Sequence, residues 1–358
     1  MPSDCIFCGQ RPIDRNKEHV IPLWLIELTG DPNRQLNLPY FASIRGDSLS
    51  DSFAFKSLVF PACKKCNSGF SHLEDEVKVI VLKMLRFEEV DGVSINTFLD
   101  WLDKVRVGLW LGTLNLIGNP TGIVPKFHIA KRIAAKDRMV VIHRCEEGPT
   151  GLQVFGAALP MFWHRPVCFG LMINHLAFMN ASIDFLISRR LGFPFPTKMI
   201  LNPDGSGEAQ MRGGMERYIL PLIRAPYEPS GTEIFQPMFN HSLSPGGRDS
   251  FGRLYETEYV KRHSISYSDG IGKIMLQKER SISFYEGGSI KWVPQKKHKF
   301  EEVLRFVPIQ TLLLQNYLAD AECMTNSKDR RFFSCLKNQN RKLIEYTRRA
   351  EISPWQSH

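Results

Sequence analysis

Four of the eight cysteines in this 358-residue chain stand in two Cys-x-x-Cys pairs, Cys5/Cys8 and Cys63/Cys66. The remaining four, at positions 145, 168, 323 and 335, follow no pairing pattern. A two-residue gap lets both thiolates of a pair turn onto one ion at about 2.3 Å. Two such pairs predict a single structural Zn²⁺ held by Cys5, Cys8, Cys63 and Cys66. A secreted disulfide framework calls for a signal peptide and denser cysteines. A redox pair calls for a βαβ unit, which neither pair opens.

The stretch between the pairs carries the chemistry. Glu18-His19-Val20-Ile21-Pro22 lies between Cys8 and Cys63, and Asn67 follows Cys66 directly. One zinc gathering all four thiolates pins the loop before a first strand to the mouth of a helix. An acid, an imidazole and an amide then surround one point. Such a trio suits phosphodiester hydrolysis. Glu18 and Asn67 supply oxygen ligands for Mg²⁺ or a similar divalent ion. A neutral His19 takes a proton from the attacking water, and the ion stabilises charge on the phosphate. His72 is expected on the surface, and Glu74 as an exposed acid near the helix start. His143-x-Cys145 and His164-x3-Cys168 are expected to be buried structural residues rather than a second metal site.

These residues need elements to hold them. Glu18 to Ile21 reads as a short strand ended by Pro22, and Leu23 to Leu28 as a short helix stopped near Gly30. Residues 31–55 read as a connecting loop and Ser57 to Phe60 as a second strand. Apolar residues at Phe70, Leu73, Val77, Ile80, Val81, Met84 and Leu85 step by three and four, which predicts an amphipathic helix. Asn67 is a preferred helix cap as well as a ligand. A further helix is expected over 95–117. Met139 to His143 and Val167 to Ile173 read as buried strands. Residues 226–256 read as a loop or boundary, and 257–293 as a small antiparallel sheet turning at Asp269-Gly270 and Gly287-Gly288. Helices are expected over Phe300 to Ala319 and Arg331 to Ala350.

Cys5-x2-Cys8, Glu18-His19-Val20-Ile21-Pro22 and Cys63-Lys64-Lys65-Cys66-Asn67, with Ser71-x2-Glu74 following, resemble the HNH endonucleases, a His-Me finger (ββα-metal) family. The chain is similar to the branch with a zinc-bound treble clef, over residues 5 to about 85. The resemblance implies that His19 is the general base and that Glu18, where the family usually has Asp, is a metal ligand. It implies that Asn67 also binds the catalytic ion. The family's middle Asn has no counterpart in Phe55-Lys56-Ser57-Leu58-Val59-Phe60-Pro61. Lys56 or Ser57 takes its place against the histidine or the phosphate, or Asn37 reaches in from the loop. The implied activity is DNA hydrolysis, with defence against foreign DNA as the family's frequent setting. RNA is the alternative substrate, and a silent zinc-stabilised binding module the alternative function.

The fold class expected is α+β. An N-terminal ββα-metal domain over 1–90 is followed by a mixed helical and β region over 91–255. A basic sheet-plus-helix region over 256–358 is suited to nucleic acid. The chain carries 46 Lys and Arg against 37 Asp and Glu. The excess lies at the far end, where residues 260–358 hold 18 basic residues against 10 acidic. In residues 1–90 the count is 11 against 12. A composition of 43% apolar and 23% charged residues excludes disordered and fibrous classes. No run of about twenty apolar residues predicts a membrane span. The opening MPSDCIFCGQ lacks a basic n-region, so no signal peptide and a cytoplasmic address are expected.

Overall fold

A short hairpin closed by the second cysteine pair begins the fold. β1 (Arg15–His19) is followed by α1 (Leu23–Leu28), by the antiparallel pair β2 (Gln35–Asn37) and β3 (Ser52–Ala54), and by β4 (Val59–Cys63), which lies antiparallel to β1. β1 stops at His19 because Val20 and Ile21 turn into the core and Pro22 caps α1. The expected loop over 31–55 thus contains a small strand pair. α2 (Lys64–Leu85) starts directly after β4, with Cys63 at its N-cap position. Asn67 is therefore inside the helix and does not cap it. The apolar stripe buries Val77, Ile80, Val81 and Met84 as its spacing requires.

The computed structural model describes residues 4–37, 52–54, 56, 58–116, 119, 121–125, 127–146, 150–183, 186, 195–201, 207–212, 231–237, 273–278, 281–285, 288–290, 292–294, 296–321 and 327–349. The expected turns at Asp269-Gly270 and Gly287, and the residues Ser57 and Cys323, lie outside them.

After β5 (Val90–Asp91) comes α3 (Gly92–Leu116), the pivot of the molecule. Phe98, Leu99, Trp101, Leu102, Val105, Val107, Leu109, Trp110 and Leu111 are all buried. A helix apolar on every side must be enclosed on every side. One flank meets the hairpin and α2; the other meets a sheet. α4 (Ile129–Arg132) leads into β6 (Arg138–Cys145), β7 (Leu152–Phe155), α5 (Pro160–His164), β8 (Cys168–Ile173) and β9 (Leu176–Ser182). β10 (Phe195–Leu201) and β11 (Gly207–Arg212) pair apart. β12 (Thr232–Gln236), β13 (Ile274–Lys278), β14 (Ser281–Tyr285), β15 (Ser289–Ile290) and β16 (Lys297–His298) follow.

The main sheet runs in the order β14-β13-β12-β6-β9-β8-β7, antiparallel throughout, with β16 added parallel to β6. It takes strands from both sides of residue 255. β12 lies inside the stretch that reads from sequence as a loop, yet it is buried along its whole length between β6 and β13. Proline and glycine on both sides hide a five-residue strand whose partners are remote in sequence. The sheet's faces alternate with the pleat. Val140, Ile142, Phe169, Leu171, Phe178 and Ile234 share a core with α3, while Met139, Val141, Met179 and Phe235 pack with Leu314 and Leu318. Those two leucines belong to α6 (Phe300–Ala321), which is covered in turn by α7 (Ser327–Arg349) through contacts such as Ile309 and Leu312 with Ile344. The result is an α+β arrangement in which α3 lies between the N-terminal hairpin unit and the sheet.

Candidate functional site

The four paired cysteines converge. Their sulfurs all lie within 4.8 Å of one another, the only such group of His, Cys, Asp or Glu ligands among the described residues. Tetrahedral Zn–S bonds of about 2.3 Å place sulfurs about 3.8 Å apart, and Cys8 Sγ to Cys63 Sγ is 3.8 Å. The donor set fits zinc. The first knuckle is held in place by its backbone. Cys63 N–H donates to Cys5 Sγ (3.2 Å), Ile6 N–H to the Pro61 carbonyl (2.9 Å), and the Phe7 ring stacks on Phe70 of α2 at 4.5 Å. Gly9 closes the turn at φ +75°, and a Cβ there would lie 2.4 Å from the His128 ring. Burial and the neighbouring thiols push the Cys63 thiol up to about 11 and that of Cys66 up to about 12. A bound cation reverses that cost by taking the thiolates as ligands.

The hairpin has two faces with different tasks. Register places His19 opposite Val59, Lys17 opposite Pro61 and Arg15 opposite Cys63, while Glu18 lies opposite Phe60. Side chains alternate along a strand. Arg15 and Lys17 are exposed and His19, Val59, Pro61 and Cys63 half-buried; Glu18, Phe60 and Ala62 are buried. The second set packs on α3, where glycines admit it. A Cβ on Gly112 would come within 2.7 Å of the Phe60 ring, and one on Gly108 within 2.9 Å of Val20.

Glu18 meets a cation on this inner face. Lys104 of α3 donates from Nζ to Glu18 Oε1 at 2.5 Å and also to Glu74 Oε1 of α2. The three side chains are 1%, 7% and 22% exposed for Lys104, Glu18 and Glu74. Burial pushes the Glu18 carboxyl up, Lys104 pulls it down, and Glu74 adds a smaller upward push. Glu74, expected as an exposed acid, is thus a partly buried partner of Lys104. Sequence reasoning missed Lys104. Asp100, Asp103 and Arg106 interrupt the apolar residues around it, so no local pattern marks Lys104 as buried. Asp103 and Arg106 of α3 and Arg138 of β6 are buried and paired in the same way. Arg106 pairs with Asp103 at 2.7 Å, and Arg138 with Asp100 at 2.5 Å.

Asn67 donates from Nδ2 to the Lys17 carbonyl at 3.0 Å, which ties the start of α2 to β1 between Arg15 and His19. His19 and Asn67 therefore belong to neighbouring parts of one unit, whereas Glu18 leaves the strand toward α3. Lys56 is exposed and donates to Asn33 Oδ1, and Asn37 lies in β2. His72 pairs with Glu76 on the surface at 3.2 Å. His143, Cys145 and Cys168 are buried, and His164 packs against Phe332 at 4.5 Å.

No protein-family model, no curated protein and no solved structure matches the chain. No helix among the described residues is long and apolar enough to cross a membrane.

Proposed function

We propose that the N-terminal unit is a metal-dependent HNH-type endonuclease that hydrolyses phosphodiester bonds, with DNA as substrate. The observation that supports this reading is the order of parts. A strand ending in His19, an antiparallel partner ending in Cys63 and a helix carrying Asn67 in its opening turns are pinned together by four converging cysteines. His19 receives the proton of the attacking water. Asn67 spends Nδ2 on the backbone and keeps Oδ1 for a divalent ion. Glu18 gives Oε1 to Lys104 on the opposite face of β1, so in this reading it steadies the strand and is not a ligand of the ion. When bound, Mg²⁺ would supply Lewis-acid stabilisation of the phosphate. Zinc has no part in the reaction on this reading; it holds the frame. The test is cleavage of plasmid DNA and of RNA with added Mg²⁺ or Mn²⁺, since the chemistry at phosphorus is shared by both polymers.

One observation favours a second reading. Glu18 is paired with a buried lysine on the face away from His19. In that reading the unit binds nucleic acid through its zinc-held frame without cutting it, and salt-sensitive binding survives His19→Ala.

A further inference from the structure

Residues 1–90 carry 11 basic and 12 acidic residues, which hides how the charge is placed. Two of the acids, Glu18 and Glu74, are drawn inward onto Lys104. The opposite face of β1 presents Arg15 and Lys17, both exposed, in line with His19 at two-residue intervals of about 6.7 Å. Lys64 and Lys65, also exposed, open α2 alongside; the Lys64 N–H donates to the Asp14 carbonyl at 3.1 Å, just before Arg15. Asn67 is bonded to the Lys17 carbonyl in the middle of the row. None of the four cations forms an ion pair with another described residue. Asp14 is the one exposed acid in this stretch.

We propose that Arg15, Lys17, Lys64 and Lys65 form a phosphate track that leads a polynucleotide strand to His19. The track rests on the nuclease reading for its purpose, but its binding is measurable without turnover. Four exposed cations without ion-pair partners among the described residues, two of them in line with His19 on β1 and two at the start of α2, match a ligand with repeating negative charge. A lone small anion would need only one or two of them. Each phosphate neutralised contributes about 0.9 to the slope of log affinity against log salt for duplex DNA, and about 0.7 for single strands.

The experiment uses the full chain carrying His19→Ala, without added divalent ion, and follows binding of a fluorescent DNA duplex, its single strand and the matching RNA. Salt is varied from about 50 to 200 mM. Arg15→Gln with Lys17→Gln is expected to lower the slope by about 1.8 on duplex, and further change of Lys64 and Lys65 to Gln by about as much again. Arg15→Lys with Lys17→Arg is expected to keep it. Zinc content is measured in every variant, so a lost frame is not mistaken for a lost contact. The proposal is overturned by an unchanged slope, or by a slope that moves only with Arg331→Gln and Arg349→Gln on α7. It is equally overturned if the chain binds no polynucleotide, or binds only anionic lipid vesicles. Binding by the native chain without any cleavage under Mg²⁺ or Mn²⁺ would sink the nuclease reading and leave the track standing. Cleavage with an unchanged slope would do the reverse.

Discussion

Lys104 Nζ lies 2.5 Å from Glu18 Oε1, and both side chains are almost wholly buried. They come from elements 86 residues apart in sequence, the central helix and the first strand. The contact adds a charged fastening to the apolar packing of Val20 and Phe60 against the same helix. Removing one member leaves the other uncompensated, and it is that exposed deficit, more than the pair's own attraction, that sets the cost.

Lys104→Met should destabilise the chain by about 3–5 kcal/mol in urea unfolding. Adding Glu18→Gln should recover a substantial part, because the remaining amide carries no charge to bury. Equal stability in Lys104→Met and the native chain would show that the ion pair is not a fastening.

Close approach at the same boundary depends on Gly112. A methyl group there meets the Phe60 ring at 2.7 Å, so Gly112→Ala should cost about 1–3 kcal/mol. Phe60→Leu introduced into that variant should return some of the loss by giving the methyl room. Thermal unfolding of the two variants against the native chain checks this.

The cysteine cluster should hold one Zn²⁺ per chain by elemental analysis, and Cys63→Ser or Cys66→Ser should weaken or abolish that occupancy. Burial and neighbouring thiols keep Cys63 and Cys66 protonated without metal, at about 11 and about 12. Zinc must displace those protons. Affinity should therefore fall as pH is lowered, measured by competition with a chelator at two pH values.

His143 gives the sheet its own pH dependence. Burial first, then the neighbouring His298, pushes its imidazole down to about 3. Its folded value is depressed, so below about pH 6.5 the unfolded chain binds a proton that the folded chain refuses. Stability from this group is present above about 6.5 and is lost toward 3, at about 1.4 kcal/mol per pH unit. His143→Leu should flatten that part of the acid limb in unfolding measured at pH 7 and pH 5.

What could be read beforehand was what is written locally. The Cys-x-x-Cys spacings and the stripe from Val77 to Met84 each depend on residues within a few positions of one another, whereas the strand expected over Glu18 to Ile21 forms instead over Arg15–His19. The destination of Glu18 was not written locally. Its partner lies on a helix whose apolar stripe is plain in the sequence, but nothing local says that Lys104 faces β1 rather than solvent. Arg106 and Asn180, joined across 74 residues, pose the same problem. β12 failed for a related reason. Its five residues become a central strand only because β6 and β13 flank them. That Glu18 and His19 face apart was legible in principle, since adjacent strand residues point to opposite faces, whereas the family resemblance implied Glu18 as a metal ligand next to His19 as the base.

The central claim is that His19 takes a proton during phosphodiester cleavage, and single-turnover cleavage by the native chain and by His19→Ala tests it most directly. Labelled DNA and RNA, Mg²⁺ and Mn²⁺, and matched zinc content are the required conditions. The native chain should cut in a metal-dependent way, and His19→Ala should be slower by about 10²–10⁴-fold with substrate binding retained. Equal rates in the two proteins, or no cleavage by either with any metal on either polymer, would contradict it.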